Sequence, residues 1–71
     1  MEKGTLFYNV RLSRMDIRFD FDKYYGGLRC GECFEVYIDE KWTPTRVEKY
    51  EGWYLVGISR DTCLTDLLVR I

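Results

Sequence analysis

At 71 residues the chain has room for one hydrophobic core, and we expect a single small β domain over residues 1–71. Aromatic residues make up 17% of the sequence and charged residues 32%, and the formal net charge of −1 gives no overall bias toward polyanions. The chain has no histidine, which is the commonest general base, and no apolar run near the roughly 20 residues that span a bilayer. These features predict a cytoplasmic protein without catalytic activity.

Two β-strands are predicted at the start of the chain, where apolar and polar residues alternate with a period of two. The first strand covers residues 5–11, and a short connection leads into an antiparallel second strand. In this second strand Met15, Ile17 and Phe19 face the core. The charged residues between them are expected on a solvated face with cross-strand pairs: Arg14, Asp16, Arg18 and Asp20.

The middle of the chain combines a loop with two further strands. An irregular loop is predicted at residues 22–32, where the alternation stops. A strand follows from Phe34 to Ile38, and a tight turn at Asp39–Lys41 leads into an aromatic and β-branched run over residues 43–50. Because proline cannot donate to a sheet ladder, we expect this run to be an edge strand or to be bulged at Pro44.

The last third of the chain predicts two more strands around a polar segment. Residues 53–58 have the composition of a buried strand and are the best candidate for the central one. Residues 59–66 suit a single helical turn capped by Ser59 or Asp61, and residues 67–71 form a short final strand. The fold class is therefore all-β. We expect a small antiparallel meander of five or six strands, either an SH3-like barrel or a strongly curled sheet.

The predicted loop contains the spacing Cys30-x-x-Cys33. Two thiolates at this spacing can bind zinc, with Cys63, a carboxylate or a second chain completing the site. They can also act as a redox pair, although such pairs usually begin a helix and here a strand follows. Two cysteines alone are a weak signal, so we expect no cofactor, reduced thiols and a packing role for Cys33. Gly26–Gly27 in the same loop is explained by positive φ in a turn rather than by phosphate binding.

Aromatic residues near cations are the second candidate for function. About half of the rings must be buried to form the core of so small a domain, and the remainder can contact a ligand. We expect a protein or peptide partner, bound through four exposed residues: Tyr24, Tyr25, Trp42 and Arg46. The alternative is a nucleic-acid-binding accessory factor in which tyrosines stack on bases and three cations contact phosphates: Arg29, Arg46 and Lys49. The near-neutral net charge weighs against this alternative.

Several blocks of the sequence carry a family resemblance. They are YYGGL at Tyr24–Leu28, CGECFEV at Cys30–Val36, WTPTRVE at Trp42–Glu48 and WYLVGI at Trp53–Ile58. Over residues 5–71 the chain resembles a domain-of-unknown-function family of small proteins from Gram-positive bacteria and their mobile elements. The resemblance implies a bacterial cytoplasmic protein encoded on a conjugative or phage-derived element. It implies no activity and assigns no site residue.

Overall fold

The structure is a computed structural model that describes residues 1–71, and it contains seven β-strands and no helix. In chain order the strands are β1 (Lys3–Asn9), β2 (Arg14–Asp20), β3 (Lys23–Tyr24), β4 (Cys33–Ile38), β5 (Lys41–Lys49), β6 (Trp53–Leu55) and β7 (Leu68–Arg70). They form one sheet in the order β3-β2-β1-β7-β4-β5-β6, and every neighbouring pair is antiparallel. Two three-stranded meanders are thus joined through β7. The predicted all-β antiparallel class is confirmed.

The sheet is curled but not closed, since its edge strands β3 and β6 do not pair with each other. The segment from Leu28 to Glu32 bonds to two distant strands of the sheet. The N–H of Leu28 donates to the carbonyl of Met15, on the side of β2 where β3 lies, and the carbonyl of Glu32 accepts from the N–H of Val47, on the side of β5 where β4 lies. These positions are separated by about 19 Å in a flat sheet, but the segment from Leu28 to Glu32 spans at most about 14 Å. The predicted curled sheet is therefore found. The alternative of an SH3-like barrel is wrong.

One cluster of buried apolar side chains fills the concave face of the sheet. Its nine members are Leu6, Met15, Ile17, Leu28, Phe34, Val36, Val47, Leu55 and Val69. The period-two alternation of the strands explains this arrangement, because cross-strand partners such as Leu6 and Ile17 share a face. Both meanders contribute, and Leu28 enters the core from the loop that links them. The opposite, convex face has no covering layer of secondary structure and is called the outer face below.

Three predictions for the strands are wrong. Of residues 53–58 only Trp53–Leu55 form a strand, and this strand, β6, lies at the edge of the sheet and not in its centre. The chain turns after Leu55, where the N–H of Ile58 donates to the Leu55 carbonyl at 3.1 Å. Residues 59–66 contain no helical turn, and Ser59 Oγ instead accepts a hydrogen bond from the N–H of Asp61 at 3.3 Å. The strand count is seven because Lys23–Tyr24 add β3 inside the predicted loop. The central position belongs to β7.

The hairpin of β4 and β5 largely follows the prediction. Asp39 and Glu40 have φ values of 51° and 65°, which is the left-handed backbone of a two-residue hairpin turn. Pro44 stands opposite Glu35 in a regular register without a bulge. Because β6 pairs only with the Val47–Lys49 end of β5, Pro44 has a strand neighbour on one side alone. Proline therefore occupies a local edge of the sheet, where its missing N–H leaves no ladder bond unmade.

Asp16 is fully buried, so the predicted solvated position of this residue is wrong. Its side chain starts from the outer face of β2, and the segment after β3 covers it. Oδ1 accepts hydrogen bonds from the N–H groups of Ile17, Gly26 and Gly27, and Oδ2 accepts one from Asn9 Nδ2. The positive φ predicted for both glycines is observed, at 106° and 102°. A buried carboxylate requires such donors in place of water.

Candidate binding surface

The four residues predicted to bind a partner do not form one site. Tyr24 lies on the outer face of β3, 49% exposed, with its ring centroid 5.8 Å from that of Phe7. Tyr25 follows on the other side of the sheet, where its ring contacts Phe19. Trp42 lies on β5, and four strands separate it from β3. The sequence therefore identified side chains from two distant surfaces.

Trp42 belongs to an aromatic and cationic surface that crosses four adjacent strands. Strand register places five side chains on the outer face of β1, β7, β4 and β5: Lys3, Arg70, Glu35, Tyr37 and Trp42. Tyr37 stands directly opposite Trp42, and the two ring centroids are 5.2 Å apart at an interplanar angle of 59°. Tyr37 is 40% exposed, whereas Trp42 is partly buried and not exposed as the sequence predicted, because neighbouring side chains pack against its ring. These five residues are called the Trp42 surface.

The cations of the Trp42 surface are arranged around the indole ring. Arg70 Cζ lies 4.3 Å from the Trp42 ring centroid, and Lys3 Nζ lies 6.0 Å from it. Glu35 Oε1 accepts a hydrogen bond from Arg70 Nε at 2.6 Å, which fixes the guanidinium over the ring. Cation–π contact and this half-buried ion pair together hold the side chains in a defined geometry.

Sequence reasoning selected Trp42 but missed Lys3, Glu35, Tyr37 and Arg70 as its neighbours. The alternation in β4 does predict that Glu35 and Tyr37 share the face opposite Phe34 and Val36. No local signal places the C-terminal strand between β1 and β4, and this pairing is what brings Arg70 and Lys3 to the indole. The Trp42 surface therefore became visible only once the strand order was known.

The cations proposed for nucleic-acid binding are dispersed. Arg46 shares the outer face of β5 with Trp42, but its Nε donates to Glu48 Oε2 at 3.1 Å. Lys49 Nζ lies over the ring of Trp53 at 5.4 Å, and Arg29 lies in the loop before β4. These three residues do not form a continuous cationic track.

A groove separate from the Trp42 surface lies beside Tyr24, at the tip of the β1–β2 hairpin. Its volume is about 500 Å³, and its lining includes Phe7, Arg11, Leu12 and Tyr24. Asp16 forms part of its floor, but all of the carboxylate's bonds go to the protein itself. The groove thus has two aromatic rings and one exposed cation, and none of its buried side-chain polar atoms lacks a hydrogen-bond partner.

The three cysteines are exposed and unpaired. Cys33 is therefore not the packed apolar residue that the sequence predicted, because it lies on the outer face of β4, opposite Arg46. Cys30 lies in the tight turn before β4, where the N–H of Glu32 donates to the carbonyl of Arg29 at 3.0 Å. No group of three or more Cys, Asp or Glu side chains is placed to hold a metal ion. Cys63 consequently does not complete a zinc site with Cys30 and Cys33.

The strand order and the Trp42 surface define a small, open-sheet β protein with an exposed aromatic and cationic face. The chain belongs to the family described as Domain of unknown function (DUF5348), whose model matches residues 4–71. The chain is also similar to a protein from Ruminococcus gnavus with a known crystal structure, at 49% identity and a TM-score of 0.89. That match covers 97% of this chain and 99% of the other. No curated protein matches.

The family match confirms one part of the resemblance predicted from the sequence blocks, namely membership of a domain-of-unknown-function family. The structural match also supports the all-β fold, because a crystal structure at 49% identity superposes over nearly the whole chain. The structure contains no helix that is long and apolar enough to span a membrane.

Proposed function

We propose that the protein is a non-catalytic interaction module that binds an extended segment of a partner protein through the Trp42 surface. The observation that carries this proposal is the Tyr37–Trp42 pair, two rings in contact on an uncovered sheet face. The nine-residue core lies entirely on the opposite face and does not need these rings. Several small β domains bind extended, proline-rich peptides through exposed aromatic side chains.

The neighbouring residues suit the same role. Pro44 lies next to the Trp42 surface on the outer face of β5, so Trp42 and Pro44 together offer rigid, apolar contacts with little side-chain entropy to lose on binding. Arg70 is held by Glu35 and is ordered before a partner arrives. We further propose a bacterial cytoplasmic setting and a gene carried on a mobile element, as the family resemblance implies.

Selection from a random dodecapeptide library tests this proposal. Peptides selected on the native protein should lose at least tenfold in affinity on the Tyr37→Ala variant, because half of the aromatic pair is removed. Tyr50→Ala is the matched control, since Tyr50 is 69% exposed in the β5–β6 turn and lies outside the Trp42 surface. Circular dichroism establishes that both variants are folded. Failure to enrich any peptide, or equal losses in both variants, would contradict the proposal.

A further inference from the structure

Two cations stand side by side at Trp42, and no acidic side chain neutralises both. Lys3 and Arg70 are opposite each other in the β1–β7 register, which places their Cβ atoms about 5 Å apart. Glu35 bonds only to Arg70 Nε, so the terminal amino groups of Arg70 make no hydrogen bond. No carboxylate lies within 4 Å of Lys3 Nζ. Like charges directly opposite each other in a sheet are destabilising, and an anion that contacted both would relieve the repulsion between Lys3 and Arg70.

We infer that Lys3 and Arg70 bind a carboxylate of the partner, and that the partner segment is therefore an acidic extended peptide. This inference rests on the proposed function and adds the chemistry of the partner. Arg70 Cζ and Lys3 Nζ both lie near the indole ring of Trp42, at 4.3 and 6.0 Å from its centroid, so one carboxylate bound beside the ring can form charge-assisted hydrogen bonds with both. The next apolar residue of the peptide then rests on the rings of Tyr37 and Trp42, within the same four strands.

The charge balance of the surface favours an acidic peptide over a nucleic-acid strand. The Trp42 surface has two cations and one carboxylate, so it offers one anion site instead of a track. Glu35 lies inside the surface and Glu48 lies further along β5, paired with Arg46. Both carboxylates would repel the successive phosphates of a bound strand. Nucleic-acid affinity depends on contacts with several phosphates, which this arrangement does not supply.

Fluorescence anisotropy with two labelled dodecapeptides tests the inference. The probes are a proline-rich dodecapeptide with one central Glu and its counterpart with Gln at that position, each titrated with the full-length protein at low and moderate salt. We expect the acidic peptide to bind at least tenfold more tightly, and its affinity to fall as salt increases. Lys3→Gln should weaken the acidic peptide about fivefold. Lys41→Gln is the matched control, because Lys41 is exposed on β5 but outside the Trp42 surface, and it should change the affinity less than twofold.

The possible outcomes separate the inference from the proposed function. Equal binding of both peptides, lost on Tyr37→Ala, would overturn the acidic partner and leave the interaction module intact. No binding of either peptide at millimolar concentration, together with failure of the library selection, would overturn both. A labelled dodecathymidylate provides the remaining comparison. If it bound more tightly than the acidic peptide and depended on Lys3, the ligand would be a nucleic acid and the inference would be wrong.

Discussion

The carboxylate of Asp16 accepts a hydrogen bond from the backbone N–H of Gly27 at 2.8 Å, and this contact fastens the loop after β3 to the outer face of β2. The same oxygen accepts from the N–H of Gly26 at 3.0 Å. Leu28, the next residue along, is fully buried in the core. Asp16 therefore holds in place the segment that links the two meanders, and two consequences of this contact can be measured.

Asp16→Asn is expected to destabilise the protein, and a second substitution should restore it. The change places an amide N–H₂ against Asn9 Nδ2, two donors facing each other, and should lower the free energy of unfolding by about 2 kcal/mol. The double variant Asn9→Asp with Asp16→Asn exchanges donor and acceptor and leaves every hydrogen bond possible. Urea denaturation should show recovery of more than half of the loss. An additive loss in the double variant would show that the Asn9–Asp16 bond is not the cause.

Gly27→Ala should destabilise the protein more than Gly26→Ala. Both glycines have positive φ, so each substitution carries backbone strain of about 1 kcal/mol. A methyl group at Gly26 meets nothing within 4 Å, whereas at Gly27 it would lie 2.9 Å from Arg14 Cδ and 3.1 Å from Leu12 Cδ1. Displacement of these side chains should add about 1 kcal/mol for Gly27 alone. Equal midpoints of thermal unfolding in the two variants would contradict this packing argument.

The burial of Asp16 shows where sequence reasoning succeeds and where it stops. The alternation of Met15, Ile17 and Phe19 correctly predicts which face of β2 meets the core, because that property depends on neighbouring residues alone. The same alternation assigns Asp16 to solvent, since it contains no information about a loop ten residues later that covers the outer face. Local patterns also predict the Asp39–Glu40 turn and the positive φ at Gly26 and Gly27.

The Trp42 surface depends on pairings that no local pattern encodes. β7 has only three residues, and its hydrogen bonds to β1 join the two ends of the chain. A three-residue strand has no measurable periodicity, so its place in the centre of the sheet is decided by the fit of Val69 against Gly4 and Val36. Tyr24 and Trp42 looked like one site because both are aromatic and near cations. Only the strand order shows that they lie on separate surfaces.

All three thiols should react in the native protein. Because Cys30, Cys33 and Cys63 are exposed, a chromogenic disulfide reagent should titrate three thiols per chain without denaturant. Elemental analysis of the same untagged sample, purified without added metal, serves as the companion measurement. About one zinc per chain with two protected thiols would show that Cys30 and Cys33 bind metal, and a chelator should then lower the melting temperature.

Gly4→Ala should be among the most destabilising single-methyl additions in the chain. Gly4 is buried in β1, where an added Cβ would lie 2.6 Å from the carbonyl oxygen of Arg18 and 2.7 Å from Ile17 Cγ2. Because the backbone cannot move aside as a flexible side chain can, β1 and β2 must separate. We expect this to lower the free energy of unfolding by about 2 kcal/mol.

In a domain of this size such a loss lowers the melting temperature by about 10 °C, which differential scanning calorimetry can measure. Thr5→Ala is the matched control, because Thr5 is the next residue of β1 and its side chain points to the outer face, away from the core. A small effect of Thr5→Ala beside a large effect of Gly4→Ala would show that close contact between β1 and β2 requires glycine. Since β1 also carries Lys3 and pairs with β7, that contact fixes one side of the Trp42 surface. If Gly4→Ala were as mild as Thr5→Ala, the two strands could separate without loss of stability, and the close contact would not be needed.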